Sequence, residues 1–206
     1  MTNELLVKRL NKEAVLPSKR EEDSGYDISV IIPEEYDIVY PGERRLYPTG
    51  FCTAFPQGYG FVVANRGSVG SRGMVYGAHI IDSGYRGEVF VNVYNISNVP
   101  IIITDLPALE VRNSVIDGLN KDLTKDKPIS DYRSIFNRIE LLKSLDACSV
   151  SGYFKDNNTP LFHILKKSNP IVQALILPTM HFPVREVSTL PTSVRGDGKL
   201  GSTNTN

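Results

Sequence analysis

The feature that most constrains the fold is a succession of short β-type segments across the first hundred residues. Turn signals such as DSGYD, YPGE and FPQGYG separate segments in which apolar or β-branched residues alternate with polar ones. Closely spaced short strands of this kind are typical of an all-β barrel or sandwich. The segments are LLVKRL, YDIVY, RRLYPTGF, YGFVVAN, GEVFVNVYN and VPIIIT.

The pattern changes near residue 104, where apolar residues begin to recur at helical spacing, and the β pattern returns in NPIVQALILP at 169–178. We therefore predict a β-barrel over 1–103 and 169–190, interrupted by a helical insertion over 104–168. The residues with helical spacing are Val111, Val115 and Leu119, then Ile135, Ile139 and Leu142, with Ser130 or Asp131 placed to cap the second helix.

The last segment, residues 191–206, contains mainly Gly, Ser, Thr and Asn and has little to bury. Such a composition predicts a flexible tail that a ligand could order.

Charge and cysteine content exclude several classes of protein. The chain has 23 basic residues (Lys and Arg) and 23 acidic residues (Asp and Glu), so its net charge is zero. It therefore has no overall positive potential that would attract nucleic acid or an anionic membrane. No run approaches the roughly 18 apolar residues of a membrane helix. The 2 cysteines lie far apart, without a C-x-x-C pair. These features predict a soluble, cytoplasmic protein that binds neither nucleic acid nor membrane.

Two glycine-rich stretches carry arginine and hydroxyl side chains, ANRGSVGSRGM at 64–74 and RGDGKLGST at 195–203. Glycine lets backbone N–H groups turn toward an anion, and arginine donates forked hydrogen bonds to phosphate oxygens. Neither stretch has P-loop spacing. Each stretch alone is also compatible with a solvated turn or a chain end.

Taken in order, five segments resemble the motifs of the trimeric dUTPases: SGYDI (24–28), RGSVGSRGM (66–74), GAHIIDSGYRGE (77–88), PIVQALI (170–176) and RGDGKLGST (195–203). The resemblance implies a jelly-roll β-barrel protomer in a homotrimer, with each active site shared between chains. It also implies hydrolysis of dUTP to dUMP and pyrophosphate.

By this resemblance, Asp82 is the base that activates water for attack on the α-phosphorus. Its neighbours Ile80 and Ile81 are apolar, so we expect its charge to be poorly solvated and its basicity raised. Tyr85 is the platform beneath the deoxyribose, where its ring excludes a ribose 2′-hydroxyl.

The hairpin YGAHII at 76–81 implies base recognition by extended backbone, which rejects a wrong base by leaving polar groups unpaired. The implied base contacts are Gly77, Ala78, His79 and Ile81. Many relatives have glycine at residue 79, and we favour a surface or packed role for His79.

The resemblance further implies Mg²⁺, steadied by Asp27 through a water molecule. The remaining substrate contacts that it implies, mostly to phosphate, are Arg66, Gly67, Ser68, Gln173, Arg195, Leu200, Gly201, Ser202 and Thr203. Three positions depart from the usual pattern: Gly67 precedes the serine, Pro170 replaces a basic residue, and Leu200 replaces an aromatic ring that stacks on uracil. We expect activity to survive with altered affinity.

Two alternatives remain. The related dCTP deaminases need a glutamate ten residues after the aspartate, and this chain has Asn92 there, which cannot shuttle protons. A regulatory or binding protein could instead use the dUTPase scaffold, with a protein partner on 104–168. Because some phage members carry inserts near this place, the insertion also suggests a phage-encoded protein acting in the host cytoplasm.

Overall fold

The computed structural model describes residues 4–107, 110, 111, 113, 117, 154–156, 159–160 and 162–193. Within these residues the fold is almost entirely β, as predicted. The strands are β1 Leu6–Arg9, β2 Tyr26–Ile28, β3 Tyr36–Val39, β4 Arg44–Ala54, β5 Tyr59–Asn65, β6 Met74–Gly77, β7 Ile80–Asp82, β8 Glu88–Asn95, β9 Ile101–Thr104, β10 Phe154–Asp156, β11 Thr159–Pro160, β12 His163–Leu165 and β13 Val172–Pro178. A short helix, α1, covers Gly67–Gly70.

Three sheets enclose the core. Their strand orders are β1-β4-β8-β6, β12-β9-β3 and β2-β13-β5-β7, while β10 and β11 form a separate pair. In the described part of the chain, all strand pairings are antiparallel except that of β12 with β9. This arrangement confirms the predicted all-β barrel class.

Alternation along the strands explains which side chains enter the core. In β8, Val89, Val91 and Val93 are buried, whereas Phe90 on the opposite face is exposed. A strand places successive side chains on opposite faces, so this register carries every second residue inward. Burial of such a side chain contributes about 1.5–3 kcal/mol relative to exposure.

The predicted insertion over 104–168 is described only in part. Residues 110, 111, 113 and 117 are helical. Val111 is buried against Ile38, Ile102 and Phe162, so this part of the segment packs on the barrel. The other predicted helical residues, Val115, Leu119, Ser130, Asp131, Ile135, Ile139 and Leu142, lie outside the described residues.

The barrel resumes earlier than residue 169. Strand β12 pairs with β9 in parallel, with His163 opposite Ile101, and Leu165 enters the main core. Phe162 is also buried. The sequence prediction assigned this strand to the insertion because three residues are too few to display a β period.

The last barrel strand ends at Pro178, and residues 179–193 are exposed and belong to no strand. The prediction extended the barrel to residue 190. Pro183 and Pro191 remove backbone donors from this stretch, and Pro178 ends β13, which disfavours continued sheet pairing.

A helix that is long and apolar enough to cross a membrane does not occur among the described residues.

Candidate active site

The segment predicted as a hairpin, residues 76–81, positions Asp82, but β6 and β7 do not pair with each other: β6 pairs with β8, and β7 pairs with β5 in a different sheet. Asp82 is the last residue of β7, lies opposite Gly60 of β5, and its carbonyl accepts a hydrogen bond from the Tyr85 N–H at 3.0 Å. The Asp82 side chain is exposed, and Ile80 beside it is 68% exposed. The expected desolvation by neighbouring isoleucines is therefore wrong for the single chain, because the Asp82 side chain is exposed to solvent.

Asp82 opens onto a cavity of about 440 Å³ between the hairpin and the outer face of β8, which we call the hairpin cavity. Its lining combines apolar and aromatic side chains with a few polar groups, as ligand cavities commonly do. The lining residues are Arg44, Leu46, Tyr76, Ala78, Ile80, Ile81, Asp82, Tyr85, Glu88, Val89, Phe90 and Asn92.

The turn of the hairpin is held by two side chains. The Tyr76 hydroxyl donates to the Ala78 carbonyl at 2.7 Å, and burial raises the pKa of Tyr76, which keeps that proton in place. His79 Nδ1 lies 3.0 Å from the Val63 carbonyl, and the Val63 N–H donates to the His79 carbonyl at 2.7 Å. Facing a carbonyl, Nδ1 must carry the hydrogen.

These contacts fix an uncommon backbone conformation at Ala78, whose φ is +62°. The His79 ring also meets Tyr76 edge-on, with 5.3 Å between ring centroids. His79 thus packs against Tyr76 and the Val63 carbonyl, as favoured from the sequence.

A second cavity of about 650 Å³ collects charged and polar residues of the first, second and fourth motifs, and we call it the charged cavity. Gln173 of β13 lies opposite Asp27 of β2. Helix α1 begins at Gly67, and Arg66, the residue before it, has an extended backbone. The lining residues are Ser18, Lys19, Arg20, Asp23, Gly25, Asp27, Arg66, Gly67, Ser68 and Gln173.

An ion pair occupies the middle of this constellation. Arg66 Nε lies 3.0 Å from Asp27 Oδ1, and Arg66 Nη1 donates to the Pro170 carbonyl at 3.0 Å. Gln173 Nε2 donates to the Asn65 carbonyl at 3.1 Å. Arginine, glutamine and the exposed hydroxyl of Ser68 together offer donors suited to phosphate oxygens.

The side chains of the charged cavity can hold magnesium only when substrate phosphates supply further oxygen ligands. No group of three or more His, Cys, Asp or Glu side chains converges on one point within the described residues. Magnesium commonly takes one or two carboxylates together with substrate phosphates and retained waters. Asp27 supplies one such carboxylate.

The two cavities lie apart in one chain. Asp82 is on β7 and Asp27 on β2, at opposite edges of the sheet ordered β2-β13-β5-β7. Three strand spacings separate these edges by about 14 Å. One chain therefore holds two separate cavities.

Some predicted contacts could not be placed, and others were missed. Arg195, Leu200, Gly201, Ser202 and Thr203 lie outside the described residues. Sequence reasoning missed the loop before the first motif, which brings Ser18, Lys19, Arg20 and Asp23 into the charged cavity. The sequence feature that could have revealed this loop is the charged run SKREED at residues 18–23.

Comparison with known sequences identifies related proteins. The family model for dUTPase matches residues 11–106. A deoxyuridine 5′-triphosphate nucleotidohydrolase of Clostridium kluyveri is 33% identical over 133 residues, which are 60% of this chain and 85% of that protein. For two other curated relatives the match covers only 8% and 51% of their own length.

Solved structures share the fold. The dUTPase of Staphylococcus bacteriophage 80alpha with dUPNHPP matches with a TM-score of 0.60 and 23% identity, covering 98% of this chain and 99% of that one. A mutant dUTPase from phage phi11 of S. aureus matches with a TM-score of 0.55 and 18% identity, covering 92% of this chain and 100% of that one. That structure is described as revealing the coordination of a structural Mg(II) ion.

Proposed function

The chain belongs to the dUTPase family, and we propose that it hydrolyses dUTP to dUMP and pyrophosphate. The observation that carries the proposal is the division of family-type residues between two cavities. One cavity holds Asp82 beside Tyr85, and the other holds Asp27, Arg66 and Gln173. The first suits a nucleoside and a water-activating base, and the second suits a triphosphate.

In the proposed reaction, Asp82 accepts a proton from a water molecule. The water oxygen forms a bond to the α-phosphorus, and the bond from that phosphorus to the α,β-bridging oxygen breaks. Pyrophosphate leaves with the bridging oxygen and its electron pair. An exposed carboxylate at the cavity wall can hold a water without displacing packed side chains.

The hairpin selects the nucleoside. Tyr76 and His79 hold the turn at Ala78, so the backbone donors and acceptors beside it keep fixed positions for a uracil edge. A preorganised edge rejects other bases because their groups remain unpaired. The Tyr85 ring lies where a deoxyribose would rest and leaves no room for a 2′-hydroxyl.

The charged cavity orients the phosphates. Arg66 and Ser68 donate to phosphate oxygens, and the Gln173 amide adds a neutral donor. Asp27 would hold magnesium through a water molecule. When bound, magnesium supplies positive charge that stabilises the charge developing on the phosphate oxygens. The tail residues Arg195, Leu200, Gly201, Ser202 and Thr203 remain proposed contacts that close over the substrate.

A homotrimer accounts for the separation of the two cavities. We propose that the hairpin cavity of one chain faces the charged cavity of a neighbour, so that Asp82 and Asp27 in one site come from different chains. Closed ring assemblies bring two different surface patches of identical chains together in this way.

Other functions are less well supported. Asn92 lines the hairpin cavity with an amide, which donates to the Tyr94 hydroxyl at 3.2 Å and cannot act as the proton shuttle of a deaminase. A protein partner on 104–168 remains a prediction, because most of that segment lies outside the described residues. The cytoplasmic location and a phage origin also remain predictions.

The test is pyrophosphate release from the full chain with magnesium, offering dUTP, dCTP, dTTP and UTP separately. We expect release from dUTP alone, and a loss of roughly 10²–10⁴-fold in Asp82→Asn, the usual contribution of a general base. Because Asp82 is exposed, that variant should keep the wild-type melting temperature. A folded protein that releases pyrophosphate from none of the four nucleotides would overturn the proposal.

A further inference from the structure

A loop whose first six residues, 18–23, precede the first motif borders the charged cavity. It leaves the barrel at Ser18 and returns at Asp27, where these two residues form an isolated antiparallel bridge. The Asp27 N–H donates to the Ser18 carbonyl at 2.7 Å. Both ends of the loop are therefore fixed beside the carboxylate proposed to hold magnesium.

The loop is folded by its own polar contacts. Asp23 accepts hydrogen bonds from the Arg20 backbone N–H at 3.1 Å, from Nε at 3.0 Å and from Nη2 at 2.9 Å. Lys19 Nζ donates to the Asp23 carbonyl at 3.2 Å and lies 5.4 Å from the centroid of the Tyr26 ring. These contacts keep both cations at the edge of the cavity.

The charges of the cavity are not balanced. Its lining contains three cations, Lys19, Arg20 and Arg66, and two carboxylates. Each carboxylate is paired with an arginine, Asp27 with Arg66 and Asp23 with Arg20. Lys19 makes no ion pair with a side chain of the described residues at salt-bridge distance, so its charge is the surplus in this cavity.

The Arg20–Asp23 pair can yield to a stronger ligand. Arg20 is 89% exposed, and exposed pairs of this kind contribute little to stability. A phosphate with two or more charges accepts forked hydrogen bonds from a guanidinium more strongly than a single solvated carboxylate does. Arg20 can therefore turn toward a polyphosphate at small cost.

We propose that Lys19 and Arg20 bind the β- and γ-phosphates of dUTP, the half of the substrate that leaves as pyrophosphate. This inference rests on the proposed function and adds to it two substrate-binding residues that the family motifs do not include. The terminal phosphates carry most of the negative charge of the substrate. Lys19 and Arg20 lie at the exposed edge of the charged cavity, where they can reach these phosphates. Arg66 lies further inside, beside Asp27.

The experiment separates the two halves of the substrate. In the full chain with magnesium, Lys19→Gln, Arg20→Gln and the double variant are titrated with pyrophosphate and with dUMP by calorimetry, and the KM for dUTP is measured. Lys12→Gln is the control, because Lys12 is an exposed lysine that does not line the cavity.

We expect the double variant to weaken pyrophosphate binding and raise the KM for dUTP by about tenfold or more, the loss expected for charged hydrogen bonds. Binding of dUMP should change by less than about twofold, because dUMP lacks both terminal phosphates, and Lys12→Gln should match wild type. Lys19→Arg should recover most of the affinity lost in Lys19→Gln.

Equal losses for pyrophosphate and dUMP, or no loss for either, would overturn this inference while wild-type hydrolysis of dUTP still supports the proposed function. A wild-type protein that neither binds nor hydrolyses dUTP would overturn the proposed function and this inference together.

Discussion

The ring of Tyr85 lies against the backbone of Gly87. A Cβ atom added at Gly87 would stand 2.4 Å from the Tyr85 hydroxyl oxygen and 2.6 Å from Cζ. The same hydroxyl donates to the Glu88 carbonyl at 2.9 Å. The orientation of the proposed deoxyribose platform therefore depends on a residue without a side chain two positions along the chain.

Gly87→Ala should reduce activity more than stability. The added methyl group meets the far end of an exposed tyrosine, which can swing away from the hairpin cavity without disturbing the core. We expect the KM for dUTP to rise by about tenfold or more, because the lost contact is an aromatic one with a sugar. Steady-state kinetics and thermal unfolding measure the two effects separately.

Gly84→Ala is the matched control in the same turn, because a Cβ added there meets nothing within 4 Å. It should leave the melting temperature unchanged. A Gly87→Ala protein with wild-type KM, or one that unfolds at a much lower temperature, would contradict the proposed role of this contact.

Most of the barrel could be predicted from sequence because alternation and turn residues act locally. Strand β8 shows this, since each valine of GEVFVNVYN is buried and the intervening residues face outward. The short strand β12 could not be predicted, because its three residues are placed by pairing with a distant strand. Lys19 illustrates the same limit, since its position depends on a bridge between Ser18 and Asp27 that no local pattern encodes.

The same difference holds within the site. Asp82 and Tyr85 are three residues apart, so their shared cavity follows from one local turn. The distance between Asp82 and Asp27 depends instead on the order of four strands, which no local pattern encodes. The Arg66–Asp27 ion pair likewise joins segments 39 residues apart.

Mixed trimers should recover activity if sites are shared between chains. Asp82→Asn and Asp27→Asn each impair a different half of every site. When equal amounts are unfolded and refolded together, roughly one site in four of a three-fold trimer pairs an intact Asp82 with an intact Asp27. We expect about a quarter of wild-type activity, measured as pyrophosphate release, with sedimentation analysis confirming trimers.

Each variant refolded alone at a limiting magnesium concentration is the control: Asp82→Asn should stay nearly inactive, and Asp27→Asn should keep only a several-fold reduced activity. If the mixture shows no more activity than the sum of the separate variants, both carboxylates act within one chain, and the shared-site arrangement is wrong.

Asp27→Asn should also raise the magnesium requirement. Its carboxylate is the one proposed to hold magnesium through water, and asparagine keeps the shape but loses the charge. We expect the magnesium concentration for half-maximal activity to rise several-fold, roughly the loss of one charge-assisted hydrogen bond. Because the Arg66 pair is partly exposed, stability should change by less than about 1 kcal/mol.

Glu21→Gln removes the same charge from an exposed residue that does not line the cavity, and its magnesium titration should match wild type. An unchanged titration in Asp27→Asn would remove the case for this carboxylate as a magnesium residue.

Stability should fall at alkaline pH through Tyr47. The Tyr47 hydroxyl donates to Asp37 Oδ2 at 2.6 Å, and burial, followed by the negative charge of Asp37, raises the pKa of Tyr47 far above its ordinary value of 10.0. The unfolded chain therefore releases this proton first, and stability is lost as pH rises above about 10, by up to about 1.4 kcal/mol per pH unit.

Tyr47→Phe tests this linkage by urea unfolding between pH 7 and pH 11. At pH 7 the variant should be less stable by about 1–2 kcal/mol, because the carboxylate of Asp37 loses a buried donor. Above pH 10 the difference from wild type should shrink, since phenylalanine has no proton to release. Tyr59→Phe retains Tyr47 and should keep the alkaline loss of wild type. A constant difference between Tyr47→Phe and wild type across this range would show that Tyr47 does not contribute to the alkaline dependence.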